Sequence, residues 1–107
     1  MEVLLDHCVP RPFKCELAEY EVSTAREMGW EALSNGDLLE QARRNGFEVF
    51  VTVDQNIRYQ QSLKQQSIAV CVLASGGITA EDLAPLVPKL KHVLSRVQAG
   101  MIDEIVL

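Results

Sequence analysis

The chain has 107 residues, 48% of them hydrophobic and 23% charged, which is enough for one globular domain with its own core and too few for two. No apolar run approaches the roughly 20 residues of a membrane-spanning helix, and residues 1–10 (MEVLLDHCVP) lack the basic flank and cleavage site of a signal peptide, so the expected compartment is the cytoplasm and no membrane partner is expected. Fifteen acidic against ten basic residues give a formal net charge of −5, which argues against coating nucleic acid through a broad positive field and leaves only a local site for such a ligand.

Residues 2–5 (EVLL) form an apolar run that stops at Asp6. Pro10 and Pro12 then suit the first turn of a helix through about Ala18. Residues 20–24 (YEVST) predict a second strand, and Thr24 to Glu27 has capping-box spacing for a short helical turn that Gly29 ends. Ser34 to Asp37 repeats that spacing ahead of Leu38, Leu39 and Ala42, a helix that Gly46 stops. Residues 47–53 (FEVFVTV) are the clearest strand, closing at Asp54. A polar helix from Ile57 to about Lys64 and a strand over 68–73 (IAVCVL) follow. After the Gly76-Gly77 turn, Leu83, Leu86, Val87, Leu90, Leu94 and Val97 recur at helical spacing, with Pro85 expected to break and restart the helix. Residues 102–107 (IDEIVL) predict a fifth strand, at an edge. Strands alternating with helices predict an α/β fold with a mostly parallel, about five-stranded sheet covered on both faces.

The charge is unevenly spread: residues 1–53 hold ten acids and five bases, and residues 54–107 hold five of each. In open α/β sheets, ligands bind beyond the carboxyl ends of the strands. Asp6 and Asp54 each close a strand, so parallel neighbours would bring both carboxylates to one edge, within reach of a shared Mg²⁺ or Mn²⁺. Either can instead cap the next turn. Asp37 is a third candidate in the first turn of a helix, with capping by Ser34 as its alternative role. Asp82, spaced the same way from Thr79, reads as a cap. Asn35 and Asn56 can ligate a metal through oxygen or serve turns. His7 adjoins Asp6 but, by strand alternation, is expected to point away as a bystander. Arg11, Lys14, Arg43, Arg44 and Arg58 are the bases nearest the edge in sequence, and Trp30 and Tyr59 are either base-stacking or packing aromatics. Cys8, Cys15 and Cys71 form no CxxC pair and no zinc-ligand spacing with His7 and His92. They are expected as reduced thiols, mostly buried.

LLDHCVP at the start, SNGDLLEQA in the middle and VFVTVDQN after it resemble the small bacterial PIN-like domain proteins, and the run TVDQNIRYQQ resembles one branch of that family. The likeness covers essentially the whole chain. It implies a three-layer α/β/α PIN-like fold as one domain over 1–107. It also implies an acidic cluster that binds Mg²⁺ or Mn²⁺ and cuts RNA, and a toxin paired with a small antitoxin protein. Asp6 matches the acid ending the family's first strand and Asp54 the acid of its T-x-D motif. His7 stands where many members carry an acid, and Asn35 stands where they open the middle helix with Asp, with Asp37 two places later.

The leading expectation is therefore a metal-dependent endoribonuclease with Asp6, Asp37 and Asp54 as catalytic metal ligands, Asn35 assisting, and Arg11, Asn56 and Arg58 contacting RNA. The alternative is a catalytically impaired PIN-like module that binds RNA or a protein partner without cleaving. A phosphoacceptor receiver domain ranks below both, because the acidic pair expected at Asp6-His7 is missing and no lysine follows Lys91. A homodimer is a further expected partner, since small domains with an exposed edge strand often pair.

Overall fold

The computed structural model describes residues 1–53, 68–74, 79–98 and 100–106. Its elements are β1 (Glu2–Leu5), α1 (Phe13–Glu16), β2 (Glu21–Thr24), α2 (Asn35–Arg44), β3 (Val49–Thr52), β4 (Ala69–Leu73), α3 (Ala80–Leu83), a 3-10 turn (Ala84–Leu86), α4 (Val87–Leu94) and β5 (Ile102–Ile105). The expected polar helix at 57–64 and the Gly76-Gly77 turn lie outside the described residues. Among those that are described, no helix is long and apolar enough to cross a membrane.

The five strands form one sheet in the order β2-β1-β3-β4-β5. Every pairing is parallel, with Leu5 beside both Thr24 and Val51. Such strands read as near-continuous apolar runs when both faces are covered, and every residue of β3 and β4 is buried. Alternation sorts them. Val3, Leu5, Val49, Val51, Ala69, Cys71 and Leu73 face one cluster, with Phe13 and Leu17 from the α1 region and Leu83 through Leu94 from the later helices. Leu4, Phe50, Val70 and Val72 face the other, with Leu38, Leu39 and Ala42 of α2.

Several expected boundaries contract. The helix expected from the Pro10 and Pro12 turn through about Ala18 is one turn, Phe13–Glu16, because Leu17 leaves the helical region at φ −114. Thr24–Glu27 caps a turn and not a helix, and Gly29 closes it at φ +77. Phe47 leaves the expected strand and sets its ring edge-on to Trp30, with centroids 6.1 Å apart. Trp30 is thereby a packing residue. The long helical pattern breaks as expected, with Pro85 in the 3-10 turn and Pro88 in the first turn of α4.

Candidate functional site at the carboxyl edge of the sheet

Among the described residues, the buried polar side chains are Asp6, 1% exposed, and Thr52, 0% exposed. They meet. The chain order β1-β2-β3 and the spatial order β2-β1-β3 make β1/β3 the point where the winding reverses, and ligands of doubly wound sheets lie beyond the strand ends there. The Asp6 amide donates to Val51 O at 2.9 Å, which carries the pairing one residue past β1. The Thr52 hydroxyl then donates to Asp6 Oδ2 at 2.6 Å. On the other oxygen, Asp6 Oδ1 accepts the His7 backbone N–H at 2.7 Å and lies 2.8 Å from His7 Nδ1. The Cys8 thiol adds a further side-chain hydrogen bond to Asp6, and these contacts together hold the carboxylate in one orientation.

His7 is thus a contact of Asp6, contrary to the bystander role expected from strand alternation. Residue 7 lies in a turn beyond the strand, where a period of two no longer applies. Its side chain is 49% exposed. Cys8 Sγ sits 3.8 Å from Thr52 Oγ1. Burial pushes the Cys8 thiol up, the Val53 backbone hydrogen bond opposes this, and the Asp6 charge adds to it.

Asp6, His7 and Cys8 line a cleft of about 820 Å³ together with Arg11, Lys14 and Arg26. Arg11 makes no ion pair among the described residues. Lys14 Nζ donates to both oxygens of Glu27 at 2.8 and 2.9 Å, and Arg26 pairs with Glu31 at 3.1 Å. Sequence order alone missed Arg26, which the parallel pairing of β2 with β1 delivers to the same edge. Thr52 was also missed. Its signal was a single hydroxyl in an otherwise apolar buried strand end.

The α2 crossover returns the chain from the carboxyl edge to the amino edge, and a Cβ placed on Gly46 after it would lie 3.5 Å from Glu2 Oε2 at the start of β1. Its first turn, with Asp37, therefore belongs to the carboxyl edge. Arg43 and Arg44 sit in the last turn, paired with Glu40 at 3.8 and 3.0 Å. They belong to the opposite edge and drop out as site residues. Asp37 N donates to Ser34 Oγ at 3.4 Å, but its carboxylate makes no return bond among the described residues. Asp82 differs: its amide donates to Thr79 Oγ1 at 3.1 Å and its carboxylate accepts the Thr79 amide at 3.3 Å, a complete cap as expected. Asp54, Asn56, Arg58 and Tyr59 lie outside the described residues, as does the Asn35 side chain.

The cysteines correct a second expectation, for only Cys71 is buried while Cys8 is half-buried and Cys15 exposed. All three are free thiols. The fit to a divalent cation rests on Asp6, an oriented carboxylate with an imidazole nitrogen beside it. No group of three acidic, histidine or cysteine side chains suited to a metal is assembled among the described residues. Mg²⁺ is held by one or two carboxylates with waters and phosphate oxygens, and Asp6 offers one such carboxylate. Searches against protein families, curated proteins and solved structures return no match to the chain.

Proposed function

We propose that the chain is a PIN-like, Mg²⁺- or Mn²⁺-dependent endoribonuclease of the cytoplasm, and the toxin of a toxin-antitoxin pair. The observation that carries the metal-site reading is the buried Asp6 carboxylate, held by Thr52 at the β1/β3 switch point and opening on a cleft with three bases. In this reading Asp6, Asp37 and Asp54 hold the ion, with Asn35 assisting. Arg11, Asn56 and Arg58 hold the RNA backbone. A bound divalent ion supplies polarisation of the phosphate and a water of lowered pKa. The chain's own contribution is orientation: Thr52 fixes the carboxylate plane, and Arg11 offers a guanidinium matched to phosphate. The RNA and antitoxin parts rest on the sequence resemblance.

The second reading is a PIN-like module that binds RNA or a protein partner without cleaving. The His7 imidazole on Asp6 Oδ1 favours it, because that contact fills an oxygen position a cation would use.

Calorimetric titration of Mn²⁺ into the wild type and into Asp6→Asn and Asp54→Asn, each checked for retained fold by circular dichroism, separates the two. Saturable binding abolished in both variants is the expected result and directs a search for the RNA substrate. No binding in the wild type overturns the nuclease reading and leaves the module.

A further inference from the structure

The His7 amide, the Thr52 hydroxyl and the Cys8 thiol already hold the Asp6 carboxylate. The amide alone closes the turn after β1, so the 2.8 Å contact from His7 Nδ1 to Asp6 Oδ1 does something the backbone does not require. It fixes the ring. A carboxylate acceptor places the proton on Nδ1, and in the neutral ring Nε2 then carries the lone pair. An acid 1% exposed thereby orients an imidazole 49% exposed, and that imidazole lines the cleft together with Arg11. A buried carboxylate that sets the tautomer and direction of an accessible histidine is the arrangement that makes imidazole a general base.

We propose that His7, oriented by Asp6, is a metal-independent general base acting on phosphodiesters that carry a neighbouring hydroxyl, the ribonucleotide class. This goes beyond the metal-dependent reading above and does not rest on it. The substrate class follows from the base: it works best on a nucleophile already held beside the reacting atom, and the 2′-hydroxyl of a ribonucleotide is one. Nε2 takes the 2′-hydroxyl proton, the 2′-oxygen bonds to phosphorus and the P–O5′ bond breaks. The departing 5′-oxygen takes a proton from water, and the imidazolium returns its proton to the hydroxide left behind. The products are a 2′,3′-cyclic phosphate and a 5′-hydroxyl. Arg11 offers a guanidinium to the charge that grows on the phosphoryl oxygens.

Uridine 3′-(4-nitrophenyl) phosphate and a mixed-sequence RNA, each beside its 2′-deoxy counterpart, test this in excess EDTA. The wild type should cleave the ribonucleotides and leave the deoxy forms intact. His7→Gln should lower kcat at least about a hundredfold, while His92→Gln, on α4, leaves it unchanged. Asp6→Asn removes the positioning residue, so kcat should fall with KM held within about twofold. Nitrogen-15 spectra at about pH 9 should show His7 protonated on Nδ1 in the wild type and shifted towards Nε2 in Asp6→Asn. The wild-type spectrum gives the tautomer whatever the stability of the variant. No EDTA-resistant cleavage, equal cleavage by His7→Gln, or a wild-type ring protonated on Nε2 alone overturns the proposal. Cleavage that appears only with Mn²⁺ also overturns it and supports the metal-dependent reading.

Discussion

A carboxylate removed from water costs several kcal/mol unless donors replace its hydration, so the Thr52 hydroxyl on Asp6 Oδ2 is a stability element as well as a positioning one. Replacing Thr52 with valine keeps the shape and deletes the donor. The expected cost is about 1–3 kcal/mol, read as a lowered urea midpoint with unchanged slope. A loss under roughly 0.5 kcal/mol would show that water takes the hydroxyl's place at Asp6. Asp6 was legible in sequence because an apolar run ending in an acid is unusual for a buried strand. Thr52 was not, since threonine is an ordinary strand residue, and only the neighbouring strand shows what its hydroxyl meets. The His7 contact was misread because the turn begins one residue earlier than alternation allows for.

At the scale of elements, three capping-box spacings in the sequence become two complete caps and one half. Thr24 and Glu27 exchange bonds at 3.0 Å each, and Thr79 and Asp82 do likewise. Ser34 and Asp37 exchange only the bond to the serine hydroxyl. Ser34→Ala should therefore cost about 0.5–1 kcal/mol. Asp37→Asn should stay within about 0.5 kcal/mol of wild type, with any larger effect appearing in metal titration. A loss of 1 kcal/mol or more in Asp37→Asn, read by chemical denaturation, would assign its carboxylate to the helix and remove it from the proposed site. Element types and order followed from hydrophobic period, and the break at Pro85 followed from ring sterics. Strand ends were overrun because Phe47 and Ile68 are apolar for packing against α2, not for pairing.

For the whole molecule, Cys71 is the titratable side chain among the described buried residues of the two apolar clusters on opposite faces of the sheet, and its thiol is pushed up to about 12 by burial, with the Asp103 charge adding to it. The unfolded thiol ionises near 9.0. Above that pH the unfolded chain loses a proton that the native chain keeps, so stability is full below pH 9 and falls as pH rises towards 12, by up to roughly 1.4 kcal/mol per pH unit. Urea midpoints at pH 8 and pH 10.5 should diverge in the wild type and converge in Cys71→Ala, once corrected for the variant's own loss at pH 8. Equal divergence in both would place the alkaline effect elsewhere. By itself the sequence determined the α/β class, the alternation of elements and the carboxylate at the end of β1, because these depend on period, turn residues and local sterics. Tertiary structure alone decided the β2-β1-β3-β4-β5 order, the meeting of Thr52 and His7 on Asp6, the arrival of Arg26 in the cleft and the removal of Arg43 and Arg44 to the far edge. These depend on which strands become neighbours, and a crossover places residues by strand order rather than by their distance along the chain.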